Sequence, residues 1–222
     1  MMRKINIGII GFGTIGSGVL KILQDNSDVI RKRLGTIVEV VKIADLDITS
    51  DRGVRVDPKL LTTQAEEIIK HSEVDVVVEL IGGYEPARSL MLQAVNEGKH
   101  VVTANKALLA KHGSEIFSAV ENQQLSIGFE AAVGGAIPII RGIRESFVAN
   151  KIYSIEGIVN GTANYILSKM SDEQCSFDLA LKEAQDKGFA EADPTFDIEG
   201  IDSAHKIAIL SQLAYGTPVK FD

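Results

Sequence analysis

Asp202 and Lys206 stand four residues apart in Ile201–Tyr215, an apolar stretch whose pattern predicts a long helix. At that spacing the two side chains share one helix face. An ammonium steadied by a carboxylate can give a proton to an oxygen that gains charge as a carbonyl is reduced. The competing reading is a surface ion pair that only supports the helix. An acidic loop, Glu191–Glu199, runs just before this helix. Its charges suit a cationic group on a ligand, or simply face solvent. It is not an EF-hand calcium loop, because, counted from Asp193, glycine is missing at the sixth position and an acid at the twelfth. Lys106 follows a short apolar run, His100–Thr103, and strand ends are where ligands bind in open α/β sheets. It reads either as a residue of such a crevice or as a loop cap. Asn160, Gly161 and Thr162 fall between a predicted strand and a predicted helix. Their donors suit a carboxylate at a helix N-terminus, and Asn160 also suits capping.

A second cluster lies near the start of the chain. Gly11-Phe12-Gly13-Thr14-Ile15-Gly16 has the pattern G-x-G-x-x-G between a predicted strand, Lys4–Ile10, and a predicted helix, Ile15–Asp25. Gly11 permits the tight turn, Gly13 lets backbone approach a pyrophosphate, and Gly16 lets the helix close on the strand. The helix start offers free N–H groups to phosphate. Asp45 ends the second predicted strand, where an acid bonds ribose hydroxyls and repels a 2′-phosphate. This leans toward NAD over NADP, although Arg52 and Arg55 are near enough in sequence to meet a 2′-phosphate.

The elements that must position these residues alternate. Strands are expected at Lys4–Ile10, Val38–Ala44, Val74–Leu80, His100–Thr103 and Leu125–Phe129. Helices are expected at Ile15–Asp25, Ala65–His71, from Pro86 to Gly98, and at Ala107–Asn122. In the first of these, Ile15, Val19, Ile22 and Leu23 form the expected inner face. The series predicts an α/β chain: a doubly wound parallel sheet of the Rossmann type over residues 1–133. After Gly134 the pattern changes to helix Ile139–Phe147, strand Ser154–Val159, helix Ala163–Lys169, helix Phe177–Lys187 capped by Ser176, and the long helix Ile201–Tyr215. Residues 134–222 therefore read as an incomplete α+β domain for substrate binding and dimerisation.

Composition sets the outer limits. The 222 residues carry 23 Lys and Arg against 30 Asp and Glu, a net charge of −7, which argues against a nucleic-acid partner. Cys175 is the sole cysteine, so no internal disulfide forms and a reducing cytoplasm is the default. Arg3 and Lys4 before an Ile- and Gly-rich run superficially resemble a signal peptide, but the glycines and Asn6 fit a buried first strand and tight turn. No uninterrupted apolar run of about 20 residues predicts a membrane span. His71, His100, His112 and His205 lack metal-ligand spacing.

Four further segments carry a family resemblance. They are Val102-Thr103-Ala104-Asn105-Lys106; Glu130 through Pro138; Gly157 through Leu167, with its Asn160-Gly161-Thr162; and Gly188-Phe189-Ala190-Glu191-Ala192-Asp193-Pro194 leading to Asp197, Gly200, Asp202 and Lys206. In this order, after the glycine turn, they resemble homoserine dehydrogenase over nearly the whole chain. The resemblance implies reduction of aspartate 4-semialdehyde to homoserine with NADH or NADPH, in threonine and methionine synthesis. It implies that Lys206 is the acid–base residue, Asp202 its partner, and Lys106 a catalytic or positioning lysine beside Thr103 and Asn105. It implies that Glu191, with Asp197 as a second candidate, meets the substrate ammonium. Glu130 and the carbonyls of Val133, Gly135 and Ile137 match a monovalent cation site, usually sodium, where a buried structural glutamate is the other reading. The resemblance further implies a homodimer in the full-length protein, and a chain that continues beyond this sequence. A different amino-acid dehydrogenase would lack the Asp-Pro…Asp…Asp…Lys array, and a nucleotide sensor without turnover would tolerate loss of Lys106 and Lys206.

Overall fold

The computed structural model describes residues 3–219 and 221. The chain divides into two compact units, Met1–Ala132 and Val133–Asp222.

In the first unit the strands are β1 (Lys4–Ile10), β2 (Ile37–Ala44), β3 (Leu61–Thr62), β4 (Val76–Glu79), β5 (His100–Thr103) and β6 (Ile127–Gly128), and the helices are α1 (Thr14–Asp25), α2 (Ser27–Leu34), α3 (Ala65–Ile69), α4 (Ala87–Asn96) and α5 (Lys106–Asn122). The strands form one sheet in the order β3-β2-β1-β4-β5-β6, with every neighbouring pair parallel. That order is the doubly wound Rossmann arrangement, and the order reverses at β1, beside β4. The β-branched run Val76-Val77-Val78 suits a strand covered on both faces, and Val77 and Val78 are buried. One side of the sheet closes over Ile9, Phe12, Leu20, Val40, Ile43 and Val78.

Helix α1 departs from its expected inner face. Gly16, Ser17 and Leu20 are buried, with Val19 and Leu23 packed on the core, while Ile15 and Ile22 are 58% and 59% exposed. The cause is Gly16. A side chain there would overlap the Gly11 carbonyl oxygen, so this point of the helix lies against the turn and its neighbour Ile15 faces outward. Helix α2 was not anticipated. It carries Asp28 in its first turn, Arg31, Lys32 and Arg33 in its last, and ends at Gly35 in the left-handed region, which are charge and capping signals rather than an apolar stripe.

The second unit holds α6 (Ile139–Arg141), which widens into a π turn at Gly142–Ser146, then α7 (Gly161–Glu173), α8 (Phe177–Asp186), α9 (Thr195–Ile198) and α10 (Ile201–Tyr215). The strand expected at Ser154–Val159 does not form: among the described residues no strand pairs with it, and a strand exists only by pairing. Helix α7 starts two residues before the expected Ala163 because the Asn160 side chain caps it, accepting from the Ala163 amide at 2.7 Å. Ser176 caps α8. Helices α7 and α8 enclose Ile166, Ala180, Ala184 and Ala190. Their polar sides are joined at Glu183, which receives Lys169 at 2.8 Å, Lys187 at 2.7 Å and the Tyr165 hydroxyl at 2.9 Å. Helix α10 spans Ile201–Tyr215 as its pattern indicates, bracketed by Gly200 and Gly216 at φ 75° and 63°.

Candidate functional site

The first unit presents its candidate residues at the C-terminal ends of the strands. Gly11, at φ 101°, makes the turn out of β1, where a side chain would strike the Leu80 backbone. At Gly13 a side chain would meet nothing within 4 Å, so the start of α1 is open to an incoming group. Phe12, Thr14 and Ile15 complete the turn. This fits a pyrophosphate, which needs close backbone approach and unpaired first-turn amides.

Asp45 follows β2, at the position read for a ribose contact, and also bonds within the protein. One carboxylate oxygen accepts from the Phe12 amide at 2.5 Å and the other from the Asp47 amide at 2.9 Å. It thus ties the glycine turn to the loop after β2. Asp47 accepts from Thr49 and Ser50 and pairs with Arg52 at 3.0 Å; Arg52 lies 4.0 Å from Asp45. Hydrogen bonds from Ser50 and then Thr49 hold the Asp47 carboxyl far below the usual carboxylate range. A cavity of about 460 Å³ opens here, lined by Phe12, Asp47, Thr49, Arg52 and Arg55 among others.

At the ends of β4 and β5, Glu79 and Thr103 are fully buried and bonded to each other at 2.6 Å. Asn105 caps α5 by accepting from the Leu108 amide, and Lys106 is the first residue of that helix. Sequence reasoning missed Glu79, although one signal was present: a charged residue closing an otherwise apolar strand, Val76-Val77-Val78-Glu79.

The second unit brings Asn160, Asp197, Asp202 and Lys206 together around a cavity of about 610 Å³, which Thr162, Tyr165 and Phe189 also line. Lys206 Nζ donates to Asp202 Oδ2 at 2.6 Å and to the Val159 carbonyl at 2.7 Å. Asn160 Nδ2 donates to Asp202 at 2.9 Å and to Asp197 at 2.7 Å. Asn160 and Asp202 are each 7% exposed, so these bonds are made largely away from water. Asp202 and Lys206 are therefore no solvated surface pair. With Asn160 spent on two acids and its own helix cap, and Thr162 Oγ1 donating to the Phe189 carbonyl at 2.6 Å, their side chains are committed within the protein. The first-turn amides of Gly161 and Thr162 remain the donors suited to an anion. Glu191 lies apart, on an exposed loop whose backbone carbonyl accepts from Gln185.

Glu130 sits in a 3-10 turn that ends the first unit, while Val133, Gly135 and Ile137 begin the second. Gly134 and Ala136 adopt positive φ values of 64° and 66°, and the Ile137 carbonyl accepts from the Ile139 amide at 2.8 Å. Among the described residues no group of three or more His, Cys, Asp or Glu is arranged to hold a metal ion. No helix among them is long and apolar enough to cross a membrane.

Comparison with known proteins bears on both units. The homoserine dehydrogenase NAD binding domain family matches residues 11–130, and the homoserine dehydrogenase family matches residues 138–222. The homoserine dehydrogenase of Neisseria gonorrhoeae is 48% identical over 99% of this chain and 50% of its own length. The chain spans about half the length of the curated relatives it matches. The crystal structure of a homoserine dehydrogenase from Thiobacillus denitrificans superposes with a TM-score of 0.91 at 50% identity, covering 98% of this chain and 50% of that one. A hyperthermophilic archaeal homoserine dehydrogenase in complex with NADPH gives 0.83 at 29% identity, over 97% of this chain and 71% of that one. The matches extend over both units in sequence and in shape, and the chain belongs to the homoserine dehydrogenase family.

Proposed function

We propose that the protein carrying this chain reduces aspartate 4-semialdehyde to homoserine with a reduced nicotinamide dinucleotide, on the route to threonine and methionine. One observation carries the reading: the Lys206 ammonium, held between Asp202 and the Val159 carbonyl at the wall of a polar cavity.

A nicotinamide dinucleotide held at the Gly11–Gly16 turn would supply the hydride. The residues of this chain manage the charge that results. Lys206 gives a proton to the carbonyl oxygen as it becomes an alkoxide. Asp202, 2.6 Å away, holds the ammonium in place. The Lys206 side chain is 19% exposed, which leaves a route for a proton from water to restore it. Two carboxylates and one ammonium give this cavity a negative balance, suited to the substrate's own ammonium; Glu191 is the first candidate for that contact by family resemblance, and Asp197, which lines the cavity, is the second. The Gly161 and Thr162 amides, with Asn160 holding the helix start, take the substrate carboxylate. Lys106, opening α5 after Thr103, serves as a second catalytic or positioning lysine.

NAD is the favoured cofactor. Asp45 and Asp47 together outweigh Arg52 at the end of β2, an arrangement that repels a 2′-phosphate. Glu130 with the carbonyls of Val133, Gly135 and Ile137 is proposed to hold a monovalent cation, sodium by family resemblance. The protein is further proposed to be a cytoplasmic homodimer.

The test is direct. Protein is mixed with homoserine and NAD or NADP, with sodium or potassium, and reduced-nicotinamide absorbance is followed. Turnover should fall by about 10² or more in Lys206→Ala. A protein that binds NAD but shows no turnover would instead be a nucleotide sensor, and turnover indifferent to that substitution would take Lys206 out of the reaction. The same assay on a longer form of the protein separates a missing segment from a wrong assignment.

A further inference from the structure

Glu79 is 0% exposed, and burial of a carboxyl group is costly unless hydrogen bonds replace its water. Three donors meet it. Oε1 accepts from the amides of Ile81 at 2.9 Å and Gly82 at 3.2 Å, and Oε2 accepts from the Thr103 hydroxyl at 2.6 Å. The chain of bonds continues. Thr103 Oγ1 accepts from the Asn105 amide at 2.9 Å, and Asn105 Nδ2 donates to the Gly83 carbonyl at 2.7 Å. The result is a closed ring: Glu79, the Ile81–Gly83 loop, Asn105, Thr103, and Glu79 again.

The ring holds two things. The loop after β4 passes through two successive positive-φ glycines, Gly82 at 73° and Gly83 at 71°, and is fixed at two amides and one carbonyl. The start of α5 is fixed through Asn105, whose Oδ1 also caps the helix at Leu108. Lys106 is the next residue. Both features lie at the C-terminal ends of β4 and β5, the side of the sheet on which ligands bind.

The direction of each bond explains why a carboxylate stands here. Thr103 Oγ1 accepts from Asn105 and so directs its own proton to Glu79. A glutamine with its NH₂ toward the Ile81 and Gly82 amides sets donor against donor; with its NH₂ toward Thr103 it can reach only that oxygen's second lone pair, which turns the hydroxyl proton away and breaks the bond made here. We propose that Glu79 is a positioning residue for the reaction, holding Lys106 in register through the Ile81–Gly83 loop, Thr103 and Asn105. The proposal rests on the functional role given above to Lys106.

The experiment compares four single variants in the protein carrying this chain: Glu79→Gln, Thr103→Val, Thr103→Ser and Lys106→Ala, with Glu79→Gln also combined with Lys106→Ala. Misplacing a reacting group by a fraction of an ångström to 1 Å lowers kcat by about 10- to 100-fold. That loss is expected in Glu79→Gln and in Thr103→Val, which keeps the shape and removes the hydroxyl. Thr103→Ser keeps the hydroxyl and should retain most of the activity. Added to Lys106→Ala, Glu79→Gln should cost nothing further, since its effect passes through that lysine. Losses that multiply, or a Thr103→Ser as poor as Thr103→Val, would overturn the proposal in favour of simple fold support. If Glu79→Gln does not fold, the Thr103 pair decides. Absence of homoserine turnover in the unaltered protein would reject the functional reading instead. Amide exchange then still decides the ring: faster exchange at Ile81, Gly82 and Asn105 in Thr103→Val supports it, and unchanged exchange overturns it.

Discussion

Asn160 and Lys206 donate to the same oxygen of Asp202, at 2.9 and 2.6 Å. The second hydrogen of the Asn160 amide goes to Asp197, and its oxygen caps α7. One side chain thus ties the start of α7 to α9 and α10 and keeps two carboxylates from facing each other undamped. Asn160→Ser and Asn160→Ala separate these roles. Serine retains a capping oxygen, whereas alanine loses about 1 kcal/mol of helix stability. Neither bridges the two acids. Both should therefore lose about tenfold or more in kcat/KM, with thermal stability lowered chiefly in Asn160→Ala. Kinetics and thermal melts of the pair would check this, and full activity in Asn160→Ser would remove the bridge from the mechanism.

What was legible in the sequence was periodicity and punctuation. The Asp202–Lys206 pair was legible because four-residue spacing on a helix fixes a shared face, and α10 runs between its two glycines as read. The turn at Gly11–Gly16 was legible because its glycines each answer a steric demand. The remainder depends on partners distant in sequence. Asn160 is 37 and 42 residues from the acids it bridges, and Glu79 is 24 from Thr103. The position of Asp45 at a strand end is legible, but the Phe12 and Asp47 amides that its oxygens accept from are not. Ser154–Val159 has strand composition yet pairs with nothing among the described residues, since composition does not supply a neighbour.

The glycine turn makes two contrasting predictions. At Gly13 a methyl group would enter open space, so Gly13→Ala should fold with nearly unchanged stability and bind NADH more weakly, by obstructing the approach of its pyrophosphate. At Gly16 the methyl would overlap the Gly11 carbonyl oxygen, which is backbone and cannot swing away. Gly16→Ala should cost about 1–3 kcal/mol, or several degrees in thermal midpoint. Melting curves and NADH fluorescence titrations on both proteins would test the contrast, which fails if Gly13→Ala binds NADH as tightly as the parent.

The Glu183 cluster gives a pH prediction. Hydrogen bonds from Lys169, then Lys187, then Tyr165 lower its carboxyl from 4.5 to about 2. A depressed folded-state value means that the unfolded chain binds the proton first, so the stabilisation is complete above pH 4.5 and disappears as pH falls toward 2. At the alkaline end Lys169 and Lys187 are raised, so their share holds below the usual lysine range and is lost above it. Glu183→Gln should therefore flatten the acid limb of the stability curve between about pH 5 and 2.5. Thermal midpoints across that window would show the parent falling more steeply than the variant; parallel curves would assign the acid sensitivity elsewhere.

Cofactor choice turns on Asp47 as much as on Asp45. Arg52 is one of two arginines after β2 placed to attract a 2′-phosphate, and Asp47 holds it at 3.0 Å while Asp45 sits 4.0 Å away. Asp45 cannot be removed without loosening the Phe12 amide in the glycine turn, but Asp47 can. Asp47→Ser removes one negative charge, keeps a small polar side chain in the loop, and releases the guanidinium toward the cavity that Arg52 and Arg55 line. A freed arginine bonding phosphate contributes about 1.5–3 kcal/mol, so NADPH affinity should rise by about tenfold or more while NADH affinity changes little. Arg52→Ala added to Asp47→Ser should cancel the gain. Dissociation constants for both cofactors, measured at low and high salt, give the answer: a gain that survives loss of Arg52 would point to Arg55, and no gain at all would show that the charge balance here does not select the cofactor.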